Sequence, residues 1–358
     1  DRAPPAMTLR HPHLAVLWHP ASHIDDHEHH PPVPIARASG AWLHDLDGRP
    51  ILDAIASWWT SVHGHCHPRI AAAIAEQAAR LDHVLLAGFT HEPAVALAEA
   101  LLAAAPGDYG RAFYADCGSA AVEIALKMSF QARVLAGEGE RRRFATLENS
   151  YHGETLGALA LCGSARYREP FGPLLMPVVE LPTPDLRDHD LDDLPGAGGA
   201  TDPAADRAVA LLEAHANELS ALVVEPLVQC AGRMRMTGAG YYARVVRAAQ
   251  ALGIHVIADE IAVGFGRTGR LFASAWSGVS PDFLCLSKGL SGGVLPLAAV
   301  LVRRGLEDLF RGGPERSFQH SHTYAGNPIA CAAGLASLLL FADSGLADRL
   351  PARAAGLR

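Results

Sequence analysis

What the sequence lacks narrows its function first. No run approaches the ~18 consecutive apolar residues of a membrane-spanning helix, so a membrane role is not expected. There is no basic surplus either. The 30 Lys and Arg stand against 38 Asp and Glu, a formal charge of −8, which argues against nucleic acid as the main partner because nothing is left over to neutralise phosphates. The six cysteines (Cys66, Cys117, Cys162, Cys230, Cys285 and Cys331) are scattered without a CxxC pair. A chain of this size needs no disulfide staples, so reduced thiols are expected and a zinc site is not. The opening stretch DRAPPAMTLRHPHLAVLW lacks a basic segment followed by an apolar stretch and a cleavage site. No secretory signal is read there, and the expected location is cytoplasmic.

What is present describes a well-packed globular protein: 358 residues, 49% hydrophobic and 19% charged, enough for one large core or two unequal domains. Histidines and acidic residues crowd HIDDHEHHPP, but without a fixed helical spacing they read as a solvated loop rather than a metal site. GAWLHDLDGRPILDA predicts two short strands joined at Asp47-Gly48. Beyond about residue 66, helical spacing at 67–81, 92–105, 120–136 and 239–252 alternates with β-rich runs at 111–116, 142–148, 220–228, 254–260, 282–287 and 296–302. Several of these runs are apolar throughout, as strands covered on both faces should be. The pattern predicts an α/β domain around a mostly parallel sheet. Residues 183–206, rich in Pro, Gly and Asp, predict a surface excursion.

Ligands of open parallel sheets sit beyond the carboxyl ends of the strands, and three runs end there in polar groups. IHVIADE ends in Asp259-Glu260, DFLCLSK ends in Lys288, and RAFYADCGS ends in Gly118-Ser119 at the start of a helix. A carboxylate facing a pyridine nitrogen keeps that ring protonated and electron-withdrawing. A lysine shielded from water has a depressed pKa, forms an imine and serves as a proton-transfer base. A helix start with Gly-Ser offers free N–H groups to a phosphate, and Tyr151 offers an aromatic face to a flat ring. Taken singly, each has a plainer explanation: a structural Asp, a solvated Lys, a helix cap. Composition and spacing alone give an α/β enzyme with a phosphate-bearing ligand. GFGRTG (264–269) fits GxGxxG, but the RLFASAW that follows is a poor helix start, which weighs against dinucleotide binding.

DEIAVGFGRTGRLFA followed by PDFLCLSKGLSGG resembles the cofactor signature of the class III aminotransferases, pyridoxal 5'-phosphate (PLP) enzymes of fold type I. The resemblance runs from about Trp18 to the end of the sequence. It implies Lys288 as the Schiff-base and catalytic lysine, Asp259 as the partner of the pyridine nitrogen, and Tyr151 as the ring-stacking aromatic. It implies Gly118 and Ser119 at the phosphate, with His322 and Thr323 reaching the phosphate of a neighbouring subunit, hence a homodimer with shared sites. It also implies a small-domain segment at 1–65, a large PLP domain at 66–325, and at 326–358 a connecting helix leading into a C-terminal domain. That domain, which completes the cleft and supplies an Arg for the substrate carboxylate, is expected to lie outside these residues.

Within the class, LWHP, ASWWTSVHGHCHP, FTHEPA and QCAGRMRM resemble the branch that takes its amino group from S-adenosylmethionine and delivers it to 8-amino-7-oxononanoate in biotin biosynthesis. This implies a substrate pocket lined by Trp58, Tyr151, Lys288 and Ser321, the Trp58-Trp59 pair giving an apolar wall and a face for a cationic donor. Ala21 in LWHPAS and Glu154 in YHGET depart from commoner family residues, and Ser321-His322 stand where some members carry Gly-Pro and others Ser-His. The rival readings are a class III aminotransferase using a diamine, an ω-amino acid or 4-aminobutyrate, and a PLP-fold chain that no longer catalyses.

Overall fold

The computed structural model describes residues 16–186, 202–345 and 349–350; most of the expected excursion at 183–206 lies outside them. Near the N-terminus, β1 (Ile35–Ser39), β2 (Trp42–Asp45) and β3 (Pro50–Leu52) form an antiparallel meander. The turn at Asp47-Gly48 joins β2 to β3 as expected, with Gly48 at φ 80°. The third strand, β1, was not read from the sequence because its side chains are mostly exposed and its run IARAS carries no apolar alternation.

The main sheet is built from β4 (Tyr109–Ala115), β5 (Arg143–Leu147), β6 (Val178–Leu181), β7 (Leu219–Val224), β10 (His255–Asp259), β11 (Phe283–Leu286) and β12 (Ala298–Arg303), in the order β4-β12-β11-β10-β7-β5-β6. A small hairpin of β8 (Val228–Gln229) and β9 (Arg235–Met236) follows β7. Along β11-β10-β7-β5-β6 every pairing is parallel, and β12 alone runs antiparallel to its neighbours β11 and β4. The expected mostly parallel α/β architecture is therefore present.

Strand alternation explains the apolar runs. In β7, β10 and β11, Val223, Ile257, Phe283 and Cys285 pack on one face against the helix Gly118–Leu135. Their neighbours face the opposite side. Leu222, Val224 and Val256 meet the helices Pro203–Ala214 and Ala239–Ala251, and Ala258, Leu284 and Leu286 meet Glu92–Ala104 and Pro328–Ser344. With both faces covered, period-2 alternation disappears from the sequence.

The helix Pro328–Ser344 is apolar all round and has nine buried residues, as a helix packed on several sides must be. Its start is specified locally. Asn327 Oδ1 accepts from the backbone N–H groups of Ile329 (3.0 Å) and Ala330 (3.1 Å), and Pro328 takes the first helical position, where no N–H partner exists anyway. Among the described residues no helix is long and apolar enough to cross a membrane. Replacing the cap, Asn327→Ala, is expected to lower unfolding free energy by about 1 kcal/mol, while Asn327→Asp changes it by only a few tenths. Urea denaturation of both variants checks this, and equal losses would contradict the capping role.

Candidate active site

The parallel strands share one carboxyl end, and the loops leaving that end converge on a cavity of about 230 Å³. From the β4–helix turn come Cys117, Gly118 and Ser119; from the loop after β5 come Tyr151, His152, Gly153 and Glu154. Glu225 comes from the end of β7, Asp259 from the end of β10, and Ser287 and Lys288 from the end of β11. The structure thus brings Lys288, Asp259, Tyr151, Gly118 and Ser119 to one wall set, although they span 171 positions of sequence (288 − 118 + 1).

Asp259 is only 4% exposed, and both of its oxygens are engaged. Oδ2 lies 2.7 Å from His152 Nδ1, and Oδ1 accepts from the backbone N–H of Ile261 at 3.0 Å. Because a carboxylate can only accept, His152 carries a proton on Nδ1. Glu260, its neighbour in sequence, serves elsewhere. It is fully buried and accepts from Ala273 N (2.6 Å), Ser274 N (2.8 Å) and Ser274 Oγ (2.5 Å), fastening the loop behind β10.

Lys288 sits at φ 46°, a left-handed conformation that non-glycine residues rarely adopt. Burial pulls its pKa below the usual lysine value, against the opposing pull of Asp259, Cys230 and Glu225. Its ammonium lies 5.2 Å from the centre of the Trp59 ring, a cation–π distance. The sequence holds only one other lysine, Lys127, and that side chain is spent elsewhere: it donates to Gln319 O (3.3 Å) and lies 3.1 Å from His320 Nδ1.

The opposite end of the cavity suits an anion. The 18-residue helix Gly118–Leu135 has no side-chain cap at Cys117, so its first N–H groups and dipole face the cavity. A Cβ on Gly118 would lie 3.0 Å from Ile261 Cδ1 and Cγ2, so a larger residue here would have to displace the Ile261 side chain. Ser119 Oγ accepts from Thr155 N at 3.1 Å and lies 2.7 Å from Thr155 Oγ1, which donates to Glu123 Oε1 at 2.6 Å. Tyr151 donates its hydroxyl to Glu154 Oε1 at 2.9 Å, so the departure at Glu154 gives that carboxylate a definite partner. An anion cradle, a desolvated amine and a buried carboxylate held by His152 together fit a flat, phosphate-bearing pyridine with an electrophilic carbon.

Four expected residues fall outside this wall. Trp58 is 59% exposed, and Trp59 takes its place at the cavity. Ala56, Ser57, Trp58 and Trp59 all have positive φ (49°, 48°, 60° and 63°), a left-handed turn in which consecutive side chains diverge by about 100°, so one ring meets the cavity and the next meets solvent. Such a turn costs L-residues on the order of 1–2 kcal/mol each. Ser321, His322 and Thr323 are exposed and do not line the cavity; His322 Nδ1 lies 2.7 Å from Asp116 Oδ1, two residues before Gly118. His152 and Glu225 were not among the expected residues, though one stands beside Tyr151 in YHGET and the other lies within the β-rich run 220–228. Among the described residues no cluster of three or more His, Cys, Asp or Glu is arranged to hold a metal, and GFGRTG leads into turns rather than a long helix.

Glu225 accepts from Tyr151 N at 3.0 Å, and burial pushes its carboxyl up to about 7. A carboxyl raised above its unfolded value of 4.5 contributes stability below that value and loses it as pH rises through the folded value. Glu225→Gln keeps an acceptor for Tyr151 N but cannot ionise. Its melting temperature relative to wild type is therefore expected to improve between pH 5 and pH 8; parallel melting curves across that range would contradict the assignment.

The chain matches the class-III aminotransferase family over residues 23–357. It is 40% identical over 339 residues to the adenosylmethionine-8-amino-7-oxononanoate aminotransferase of Helicobacter pylori, covering 94% of this chain and 75% of that protein. It is 42% identical over 335 residues to the enzyme of the same name from Synechococcus elongatus, covering 93% and 76%. Among solved structures, the adenosylmethionine-8-amino-7-oxononanoate aminotransferase of Methanocaldococcus jannaschii superposes with a TM-score of 0.87 at 32% identity, covering 94% of this chain and 75% of that one. A PLP-bound amine transaminase from an uncultivated Pseudomonas species superposes with a TM-score of 0.84 at 34% identity, covering 92% and 75%. By sequence and by fold, the chain belongs to the class-III aminotransferase family.

Proposed function

We propose that this protein is a PLP-dependent aminotransferase that moves the amino group of S-adenosylmethionine to 8-amino-7-oxononanoate, giving 7,8-diaminononanoate in biotin biosynthesis. The observation that carries the chemistry is a desolvated lysine amine sharing one cavity with a buried carboxylate and an uncapped helix N-terminus. The names and 40–42% identities of the relatives carry the choice of substrates.

The cofactor is pyridoxal 5'-phosphate, which supplies an electrophilic aldehyde and a pyridinium ring that takes up the electron pair left on the substrate carbon. The residues of this chain do the rest. Gly118, Ser119 and the free N–H groups of their helix hold the phosphate. Asp259, oriented by His152 and the Ile261 N–H, would face the ring nitrogen and hold a proton there. Lys288 binds the cofactor and, once released, carries the proton between the substrate carbon and the cofactor in both half-reactions. Burial lowers the pKa of that amine, and this raises the fraction able to accept a proton near neutrality. Tyr151 packs on the ring, and Glu154 fixes its hydroxyl.

Trp59 serves as the aromatic wall for the donor in the place expected of Trp58. The face that now meets the Lys288 ammonium at 5.2 Å is equally suited to a sulfonium. We read the assembly as a homodimer in which the exposed Ser321, His322 and Thr323 serve the neighbouring site. The six unpaired cysteines support a reducing, cytoplasmic setting.

Purified protein loaded with PLP is expected to form 7,8-diaminononanoate from 8-amino-7-oxononanoate with S-adenosylmethionine as donor. Lys288→Ala is expected to lose on the order of 10²–10⁴-fold in turnover together with the visible band of the lysine-bound cofactor. Conversion with diamines, ω-amino acids or 4-aminobutyrate but not with S-adenosylmethionine would overturn the substrate assignment, and an unchanged band in Lys288→Ala would overturn the site.

A further inference from the structure

We infer that Asp53 is a positioning residue for donor recognition: its carboxylate pins the left-handed turn Ala56–Trp59 and so sets the Trp59 wall opposite Lys288. This rests on the reading of the Lys288 cavity as the amine site. The turn has four successive residues at positive φ, none of them glycine, so something outside the turn must hold it. Asp53 is placed to do so. Its Oδ1 accepts from Ser57 N at 3.0 Å, and its Oδ2 accepts from Ser57 Oγ at 2.7 Å and lies 2.7 Å from His65 Nε2. Both oxygens are committed, and the side chain is only 5% exposed.

The anchor is itself anchored. Asp53 N donates to Ala41 O at 2.9 Å, and His65 exchanges two backbone hydrogen bonds with Gly40, at 3.1 and 2.7 Å. Gly40 and Ala41 form the turn between β1 and β2, so the carboxylate ties the Trp turn to the N-terminal sheet. Within the turn, Thr60 Oγ1 donates to Ser57 O at 2.9 Å and Ser61 N to Ala56 O at 3.1 Å. Burial pushes the Asp53 carboxyl up, but the donors from Ser57 and His65 outweigh it and leave it below the ordinary range, as a carboxylate serving several donors should be. Without it, the four residues keep only the turn's internal hydrogen bonds, and a return to negative φ would swing Trp59 away from the Lys288 amine.

The test uses the cofactor-loaded protein and does not depend on turnover alone. Asp53→Ala is expected to speed amide hydrogen exchange across residues 53–61 about tenfold, while β7 and β10 are unchanged, and to raise KM for the amino donor about tenfold with kcat within twofold. Asp53→Asn, which retains an acceptor for Ser57 N, is expected to fall between Asp53→Ala and wild type, and it carries the test if the alanine variant does not fold. The discriminating variant is Ala56→Gly. Glycine takes φ 49° without strain and removes no hydrogen bond, so in the Asp53→Ala background it should recover part of the KM effect. Unchanged exchange at 53–61, a loss in kcat alone, or no recovery with Ala56→Gly would each overturn the inference. Failure of the amine-site reading would be distinguishable: Lys288→Ala would keep its visible band while the exchange result at 53–61 stood.

Discussion

The structure turns on two groups that a protein interior ordinarily rejects: the Lys288 amine at the end of β11 and the Asp259 carboxylate at the end of β10. Isolated, either charge would be costly to bury. Both line one cavity, where Asp259 pulls against the desolvation of Lys288 and is itself satisfied by His152 and the Ile261 N–H. These groups are productive only because they sit in adjacent parallel strands. Neighbours in an antiparallel pair would place them at opposite ends of the sheet.

The rest of the fold serves that placement. The helices on both faces leave β7, β10 and β11 apolar through their middles, with Ser220 and His255 near their starts and Asp259 at the carboxyl end of β10. The turn after β4 delivers a helix N-terminus to the same edge, with Gly118 allowing close approach to Ile261. Backbone strain gathers there as well, at Lys288 and in the Trp59 turn, and strain of this kind persists only where surrounding contacts over-determine it.

Much of this could be read before the structure. The six β-rich runs each overlap a strand of the main sheet, and Lys288, Asp259, Tyr151, Gly118 and Ser119 meet in one cavity. What escaped did so for identifiable reasons. β1 is mostly exposed and carries no alternation, and β6 is only four residues long, VVEL, too short for its alternation to stand out. His152 and Glu225 act through contacts made across 107 and 74 positions of sequence, which no local pattern encodes. The choice between Trp58 and Trp59 depended on a left-handed turn that the residue types Ala-Ser-Trp-Trp do not advertise, since only glycine signals positive φ. Ser321, His322 and Thr323 are exposed and do not reach the cavity of a single chain, so the roles expected of them rest on the proposed homodimer.

The central claim is that one amine, Lys288, holds the cofactor. With only two lysines in the sequence, it can be tested without ambiguity by borohydride reduction of the PLP-loaded protein followed by peptide mapping. The account predicts a stable pyridoxyl mass on the peptide containing Lys288 and none on Lys127, whose ammonium is engaged by Gln319 and His320. A pyridoxyl mass on Lys127, or on neither lysine, would contradict it.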